Sequence, residues 1–257
     1  MSDHLKTAST EPHIETQSVV PLDRMKIKIF SDGADIDSIS EASQMGLVKG
    51  FTTNPTLMAR AGITNYLTFA KEVLKVVKDL PVSFEVFSDE FDEMRYQAHK
   101  LRDLAENVYV KIPVTNTKRQ SAAPLIRELH DQGIKLNVTA ILSLNQVQEV
   151  FNALNPAVSS FVSVFAGRVA DTGRDPLPLM KSALEIIKPN PKAELLWASP
   201  REVFNLMQAE LMGCHIITIT PDLLAKAAKF GMDLEELSLD TVKMFYNDAV
   251  KSGFKIA

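Results

Sequence analysis

A lysine lies in the middle of an apolar segment, where its charge breaks the pattern. Residues 108–114, VYVKIPV, place Lys111 between Val110 and Ile112, and the segment is typical of a buried β-strand. Burying an ammonium group is costly unless it is paired. A lysine amine attacks a carbonyl only when it is neutral, and burial favours the neutral form. Lys111 is therefore a candidate nucleophile, and the Schiff base it would form can act as an electron sink for cleaving a neighbouring carbon–carbon bond.

This chemistry also needs groups that move protons and bind hydroxyls. Asp32 and Glu85 lie near the ends of other short apolar segments and could shuttle protons. Thr139 could hold a water molecule, and Asn54 and Asn137 could bind hydroxyl groups. A purely structural pairing of Lys111 with Glu85 or Asp32 remains an alternative at this point.

The elements that must position these residues follow a regular rhythm from residue 26 onward. Short runs rich in Val, Ile, Phe and Thr alternate with amphipathic stretches such as 64–80, 89–107 and 117–133, whose apolar residues recur at helical spacing. The predicted strands are 26–32, 49–54, 82–87, 108–114, 135–141, 160–167, 194–199 and 215–220. Eight alternating units predict an α/β fold, a single (β/α)8 TIM barrel. An open doubly wound sheet is the alternative, but no GxGxxG turn follows the first strand.

One alternation rule places the polar residues inside this barrel. Helices cover the outer face, so apolar positions such as Val138 and Ala140 should point outward and their neighbours inward. The rule sends Phe165 inward and gathers eight polar side chains there: Asp32, Asn54, Glu85, Lys111, Asn137, Thr139, Ser163 and Ser199. Lys28 shares this parity and should point inward near the barrel bottom, unless the first strand begins later. So many polar groups at the catalytic end of a barrel indicate an active site.

Composition narrows the classes of partner. The chain has 257 residues, a net charge of −4 and no basic stripe, which argues against nucleic acid. Cys214 is the only cysteine and the five histidines are scattered, so we predict no metal site, no disulfide and no cofactor. The absence of a signal-peptide pattern and of a run of about 20 apolar residues predicts a cytoplasmic protein that does not enter a membrane.

We expect one domain and an appendage. Residues 1–24 are polar and mixed in charge, and we interpret them as a flexible N-terminal arm that is either disordered or packed on a neighbouring subunit. Residues 25–257 form the predicted barrel domain, which ends in a C-terminal helix. We expect a homo-oligomer.

Five segments resemble the transaldolase family, including its smaller members and the fructose-6-phosphate aldolases. They are GFTTNPTL (50–57), YVKIPVT (109–115), LNVTAILS (136–143), VFAGRVADTG (164–173) and WASPRE (197–202). The resemblance spans residues 26 to about 225, and TTNP followed by VKIPVT is its most specific part. It implies a (β/α)8 barrel, sugar phosphate substrates and an aldol reaction without a metal.

The resemblance also implies a role for each matching residue. Lys111 is similar to the Schiff-base lysine, and Asp32 to the acid/base that handles the donor hydroxyl. Glu85 matches a carboxylate that works through a water held by Thr139. Asn54, Asn137 and Ser163 match residues that bind hydroxyls and orient the lysine.

Phosphate binding is implied for Arg168, Ser199 and Arg201, which follow predicted strands six and seven, near where barrels often bind phosphate. Surface salt bridges are the alternative for both arginines, and Arg174 has no assigned role. Free aldolases of this family carry a tyrosine where this chain has Phe165 and a glutamine where it has Glu85. Both positions therefore favour a transferase over a free aldolase, while a catalytically silent barrel that only binds sugar phosphates is the third hypothesis.

Overall fold

The computed structural model describes residues 19–256, in which eight parallel strands close into a barrel. The strands are β1 (Lys28–Asp32), β2 (Val48–Thr52), β3 (Val82–Glu85), β4 (Val108–Pro113), β5 (Leu136–Ile141), β6 (Ser160–Val164), β7 (Ala193–Trp197) and β8 (Ile216–Ile219). Each strand pairs with the next in the sequence, and β8 pairs with β1. The predicted (β/α)8 barrel is confirmed.

Helices follow every strand. They are α1 (Ile36–Gln44), α2 (Pro55–Arg60), α3 (Tyr66–Val76), α4 (Phe91–Arg102), α5 (Ala123–Asp131), α6 (Leu144–Ala153), α7 (Ala166–Ala170), α8 (Leu177–Ile187), α9 (Asn205–Leu211), α10 (Pro221–Lys226) and α11 (Leu234–Ser252). Side-chain oxygens cap several of them, because the first backbone N–H groups of a helix have no partner within it. Asn65 caps α3 in this way, and Ser143 with Gln146 forms a capping box on α6.

Two separate apolar cores follow from the alternation of side chains. The larger lies between strands and helices and includes Val138, which was predicted to point outward, with Phe84, Val110 and Val162. The smaller lies inside the barrel and contains Phe30, Phe161, Leu196, Ala198 and Ile216, with Tyr109 and Phe165 packed against it.

Aromatic rings fill the lower end of the barrel. Tyr109 stacks on Phe161 with ring centroids 4.0 Å apart, and Phe30 meets Phe161 edge-to-face at 5.5 Å. Below them Lys28, the first residue of β1, pairs with Glu194 of β7 at 2.8 Å and keeps half of its side chain exposed. Lys28 was expected to point inward near the barrel bottom. Its side chain instead reaches the rim of that end, where it is ion-paired and half exposed.

The alternation rule is wrong at Ala140. The register between β5 and β6 shifts between Val138 and Ile141, and Ala140 has a φ of +61°. This left-handed conformation, which is strained for a residue with a Cβ, turns the chain so that Ile141 joins the outer core and Ala140 lines the cavity inside the barrel mouth. Ala140 therefore does not point outward as its position in the alternation predicted.

The helical segments at the two ends of the described chain have no buried residues. Residues 1–18 of the predicted arm lie outside the described residues, and Leu22–Arg24 form a short 3₁₀ helix. The 19-residue α11 has no buried residue. Among residues 19–256, no helix combines the length and the apolar character that crossing a membrane requires.

Candidate active site

A cavity of about 700 Å³ opens at the carboxyl ends of the strands. It brings together all of the residues that the sequence proposed for a site: Asp32, Asn54, Glu85, Lys111, Asn137, Thr139, Ser163, Phe165, Arg168, Ser199 and Arg201. The catalytic ends of neighbouring parallel strands meet at one face of a barrel, so residues distant in sequence share this cavity. Their roles remain predictions.

Lys111 lies between two polar neighbours fixed by strand register. Glu85 on β3 and Asn137 on β5 are its partners in the two adjoining ladders. Its Nζ lies 3.0 Å from Glu85 Oε2 and donates a hydrogen bond of 3.2 Å to the Thr53 carbonyl. The side chains of Lys111 and Glu85 are only 9% and 18% exposed. An ammonium in this place keeps one donor free toward the cavity, and Glu85 is positioned to receive its proton.

Tyr66 of α3 fixes the end of β3 from outside. Its hydroxyl donates to the Glu85 carbonyl at 2.8 Å and accepts from the Glu85 backbone N–H at 2.6 Å. Burial raises the pKa of Tyr66, so the phenol stays protonated and able to donate. The carboxylate of Glu85 is thus held toward Lys111 by a backbone that cannot easily shift.

Asp32 lies in a chain of hydroxyl groups. Its Oδ1 accepts from Thr52 Oγ1 at 2.7 Å, and Thr52 Oγ1 is 2.6 Å from Thr218 Oγ1. Burial raises the pKa of Asp32, while the charge of Lys111 and hydrogen bonds from Thr52 and Asn54 act in the opposite direction. Asp32 therefore keeps its proton to a higher pH than an exposed aspartate does.

The two asparagines are oriented by what their oxygens bind. Asn54 Oδ1 caps α2 by accepting from the Leu57 N–H at 2.9 Å, so its amide N–H₂ is the group that donates to Asp32. Asn137 Oδ1 accepts from Ser163 Oγ at 2.6 Å, and its Nδ2 donates to Ser83 Oγ at 3.0 Å. These two hydrogen bonds hold the Asn137 side chain in place beside Lys111.

Thr139 has the one feature expected of a water holder. Its side chain is 1% exposed, and Oγ1 has no hydrogen-bond partner among the described residues. A buried hydroxyl without a partner is costly, so its position on the cavity wall favours a bound water or substrate oxygen.

Basic residues line the mouth on the side of β6 and β7. Arg168 of α7 lies over the Phe165 ring with its guanidinium carbon 5.6 Å from the centroid. Arg201 forms a two-pronged ion pair with Asp171, and its Nη1 donates to Ser199 Oγ at 3.1 Å. Hydrogen bonding from Arg201 lowers the pKa of Asp171. The salt-bridge alternative thus holds for one edge of Arg201, and the edge formed by Nη1 and Nη2 keeps hydrogens for a ligand.

Close backbone approach fixes this side of the mouth. A Cβ on Gly167 would lie 1.5 Å from the Ser199 carbonyl oxygen, so only glycine fits there. Ser199 has a φ of +61° and follows β7 instead of ending it as the sequence predicted. Arg174 bonds to Thr172 at 2.8 Å and does not line the cavity.

Four functional candidates escaped the sequence reasoning: Thr52, Ser83, Arg60 and Thr218. Three of them could have been found, because Thr52, Ser83 and Thr218 share the inward parity of Asn54, Glu85 and Ile216. Arg60 ends α2, and a rule for strands gives no signal there. Among residues 19–256, no three His, Cys, Asp or Glu side chains lie where they could hold a metal ion together.

Fold and cavity together define a (β/α)8-barrel protein with a lysine, two carboxylates and a basic rim at the catalytic end of the barrel. The model of one family, described as Transaldolase/Fructose-6-phosphate aldolase, matches residues 29–256. The chain belongs to this family, which makes it a transaldolase-type enzyme.

Curated relatives agree with this assignment. The chain is 32% identical over 231 residues to a "Probable transaldolase" of Thermoanaerobacter sp. (strain X514), covering 90% of this chain and all of that one. A "Probable transaldolase" of Nitrosopumilus maritimus (strain SCM1) is 36% identical over 204 residues, covering 78% and 86% of the two chains. One of Brucella ovis is 34% identical over 232 residues, covering 90% and 100%.

Solved structures that resemble the chain support the fold alone. A putative phosphonomutase from Burkholderia cenocepacia J2315 aligns with a TM-score of 0.54 at 14% identity, covering 81% of this chain and 93% of that one. A putative lyase/mutase from the same organism aligns with a TM-score of 0.56 at 11% identity, covering 90% and 86%.

Proposed function

We propose that this protein is a transaldolase that moves a dihydroxyacetone unit from a ketose phosphate to an aldose phosphate through a Schiff base on Lys111. The observation that carries the proposal is the Lys111 amine, buried in the cavity 3.0 Å from Glu85 with a donor free toward the substrate space. A lysine held there only for structure would not need the unpartnered Thr139 hydroxyl and the Asp32 chain beside it.

The proposed reaction begins when Lys111 gives a proton to Glu85 and its neutral amine attacks the ketose carbonyl. Glu85 then returns this proton to the hydroxyl group formed from the carbonyl, which leaves as water near Thr139 and gives the Schiff base. Asp32 then removes the proton of the C4 hydroxyl, the C3–C4 bond breaks, and an aldose phosphate departs. The remaining three-carbon unit attacks the aldehyde of the acceptor, Asp32 returns the proton, and water releases the new ketose phosphate from Lys111.

We assign the phosphate group of both sugars to Arg168, Ser199 and Arg201. Their position at one side of the mouth supports this assignment, as do the Arg201 hydrogens that Asp171 and Ser199 leave unused. Because Asp171 already holds the other edge, Arg201 is oriented before the phosphate arrives.

Two side chains favour transfer over release of dihydroxyacetone. Release requires protonation of the three-carbon carbanion, and Phe165 offers no proton at the position where the free aldolases of this family have a tyrosine. Glu85, where those aldolases have a glutamine, is ion-paired with Lys111.

We also propose that the protein is a homo-oligomer and that α11 contributes to the contact. Val242, Tyr246 and Val250 lie at spacings of four on one face of α11 and are 60%, 69% and 63% exposed. An apolar stripe of this kind marks an interaction surface, and a second copy of the chain is the partner that we propose for it. A cytoplasmic location stays a prediction from the sequence.

The test of the proposed function is chemical trapping. The protein is incubated with fructose 6-phosphate, reduced with borohydride, digested and analysed by peptide mass spectrometry. We expect a three-carbon adduct on Lys111. Binding of ketose phosphates without any adduct would support a silent barrel instead, and adduct formation with rapid dihydroxyacetone release would support a free aldolase.

A further inference from the structure

Thr218 makes no hydrogen bond to Lys111 or Asp32, but the Thr52 hydroxyl links it to Asp32. Thr218 on β8 and Thr52 on β2 lie on the two strands that flank β1. Their hydroxyl oxygens are 2.6 Å apart, and Thr52 Oγ1 is 2.7 Å from Asp32 Oδ1. The side chains of Thr52 and Thr218 are 2% and 6% exposed, so bulk water does not replace these bonds.

Hydrogen counting fixes the direction of this chain. Thr52 has one hydroxyl hydrogen and an ionised Asp32 can only accept, so Thr52 donates to Asp32 and Thr218 must donate to Thr52. When Asp32 carries a proton on Oδ1, the order reverses: Asp32 donates to Thr52, and Thr52 donates to Thr218. Both bonds persist in both states, because each threonine hydroxyl rotates and keeps its own hydrogen while Asp32 gains or loses the one proton.

We propose that Thr218 is a positioning residue, which acts through Thr52 to support both protonation states of Asp32. A group that removes a proton and later returns it must be stable in both its ionised and its protonated form. Without the Thr218 hydroxyl, Thr52 would keep its bond to the ionised carboxylate but lose the donor that polarises it. The ionised form of Asp32 would lose more than the protonated form.

Other charges near Asp32 leave this effect separable. The charge of Lys111 of β4 acts on Asp32, and Glu85 of β3 is ion-paired with Lys111. The remaining charged residues of the cavity wall are Arg60, Arg168 and Arg201 at the mouth. A change at Thr218 removes none of these charges, so a shift in the titration of Asp32 would come from the hydroxyl chain.

The first experiment does not depend on catalysis. The Asp32 carboxyl carbon is followed by carbon-13 NMR against pH in the ligand-free protein and in Thr218→Val, Thr218→Ser and Thr52→Val. We expect Thr218→Val, which keeps the shape, to move the titration to higher pH, and Thr52→Val to move it further. Thr218→Ser, which keeps the hydroxyl, should titrate like the unaltered protein. Equal titrations in all four proteins, or equal shifts for Val and Ser at position 218, would overturn the proposal.

The second experiment rests on the proposed function and separates the two ideas. In the pH profile of kcat/KM, the acidic limb reports the base that must be ionised. Thr218→Val should move this limb to higher pH, and at a pH on the limb it should lower kcat/KM about three- to tenfold. An unmoved limb in an active Thr218→Val enzyme would refute the inference alone. If the unaltered protein cleaves no ketose phosphate, the proposed function fails while the NMR result still decides the role of Thr218.

Discussion

Lys111 and Glu85 form an ion pair in which each charge depends on the other. We expect Lys111→Met to lower turnover by at least about a thousandfold, because Met keeps the apolar stem and removes the nucleophile. The same change should lower the free energy of unfolding by about 2 kcal/mol, since it leaves the Glu85 carboxylate unpaired in a mostly buried place. Steady-state kinetics and denaturant unfolding measure the two effects.

The control is the double variant Lys111→Met/Glu85→Gln. With both charges gone, most of the lost stability should return while turnover stays absent. A Lys111→Met enzyme that turns over near the original rate would contradict the Schiff-base proposal, and an unstable double variant would show that the stability loss came from packing.

Phe165 tests the choice between transfer and release. Phe165→Tyr would add a phenol to the cavity wall, and we expect it to raise dihydroxyacetone release from fructose 6-phosphate and to lower transfer to an added aldose phosphate. Both rates are measured in the same preparation. If the unaltered enzyme already releases dihydroxyacetone as fast as it transfers it, the free-aldolase alternative replaces the transaldolase proposal.

At the scale of single elements, Arg168 and Arg201 line the mouth near α7, and Arg201 is already bonded to Asp171. Arg201→Ala should lower kcat/KM for phosphorylated ketoses about ten- to a hundredfold and change that for unphosphorylated ketoses little, because a charge-assisted bond to phosphate is lost. Arg174→Ala is the matched control, since Arg174 carries the same charge nearby but does not line the cavity. Equal losses with both kinds of ketose would make Arg201 structural.

The strands were the most predictable elements, because alternation of apolar and polar residues follows directly from a sheet covered by helices. The same rule placed Asp32, Glu85 and Lys111 in one interior. It failed at Ala140, because a local φ of +61° reverses the alternation and no composition signal announces it. The rule also covers Thr52 and Thr218, which share the inward parity, but it cannot predict that their hydroxyl groups bond to each other.

Contacts beyond the strand ends could not be predicted in the same way. The bond of Arg201 to Asp171 and the approach of Gly167 to Ser199 depend on how two turns meet in space. The Asn-Pro pair predicts that Asn54 caps α2.

At the scale of the whole molecule, α11 carries the prediction about assembly. Tyr246→Lys places a charge in the apolar stripe, and we expect it to reduce the molar mass measured by light scattering toward that of a single chain. Asn247→Lys adds the same charge to the next residue of the helix and should leave the molar mass unchanged. A single-chain mass in the unaltered protein would refute the proposed homo-oligomer.

The stacked rings at the lower end of the barrel affect the order in which the product leaves and the acceptor binds. Phe30, Tyr109 and Phe161 fill that end, so the cavity over Lys111 communicates with solvent through its mouth at the strand ends. In the proposed reaction, the departing aldose phosphate and the incoming one must use the same passage and the same phosphate site. The acceptor therefore cannot bind until the first product has gone. Initial rates measured over a grid of donor and acceptor concentrations should give parallel double-reciprocal lines. The departing aldose phosphate, when added, should compete with the acceptor aldose phosphate. Intersecting lines would show that both sugars occupy the barrel at once.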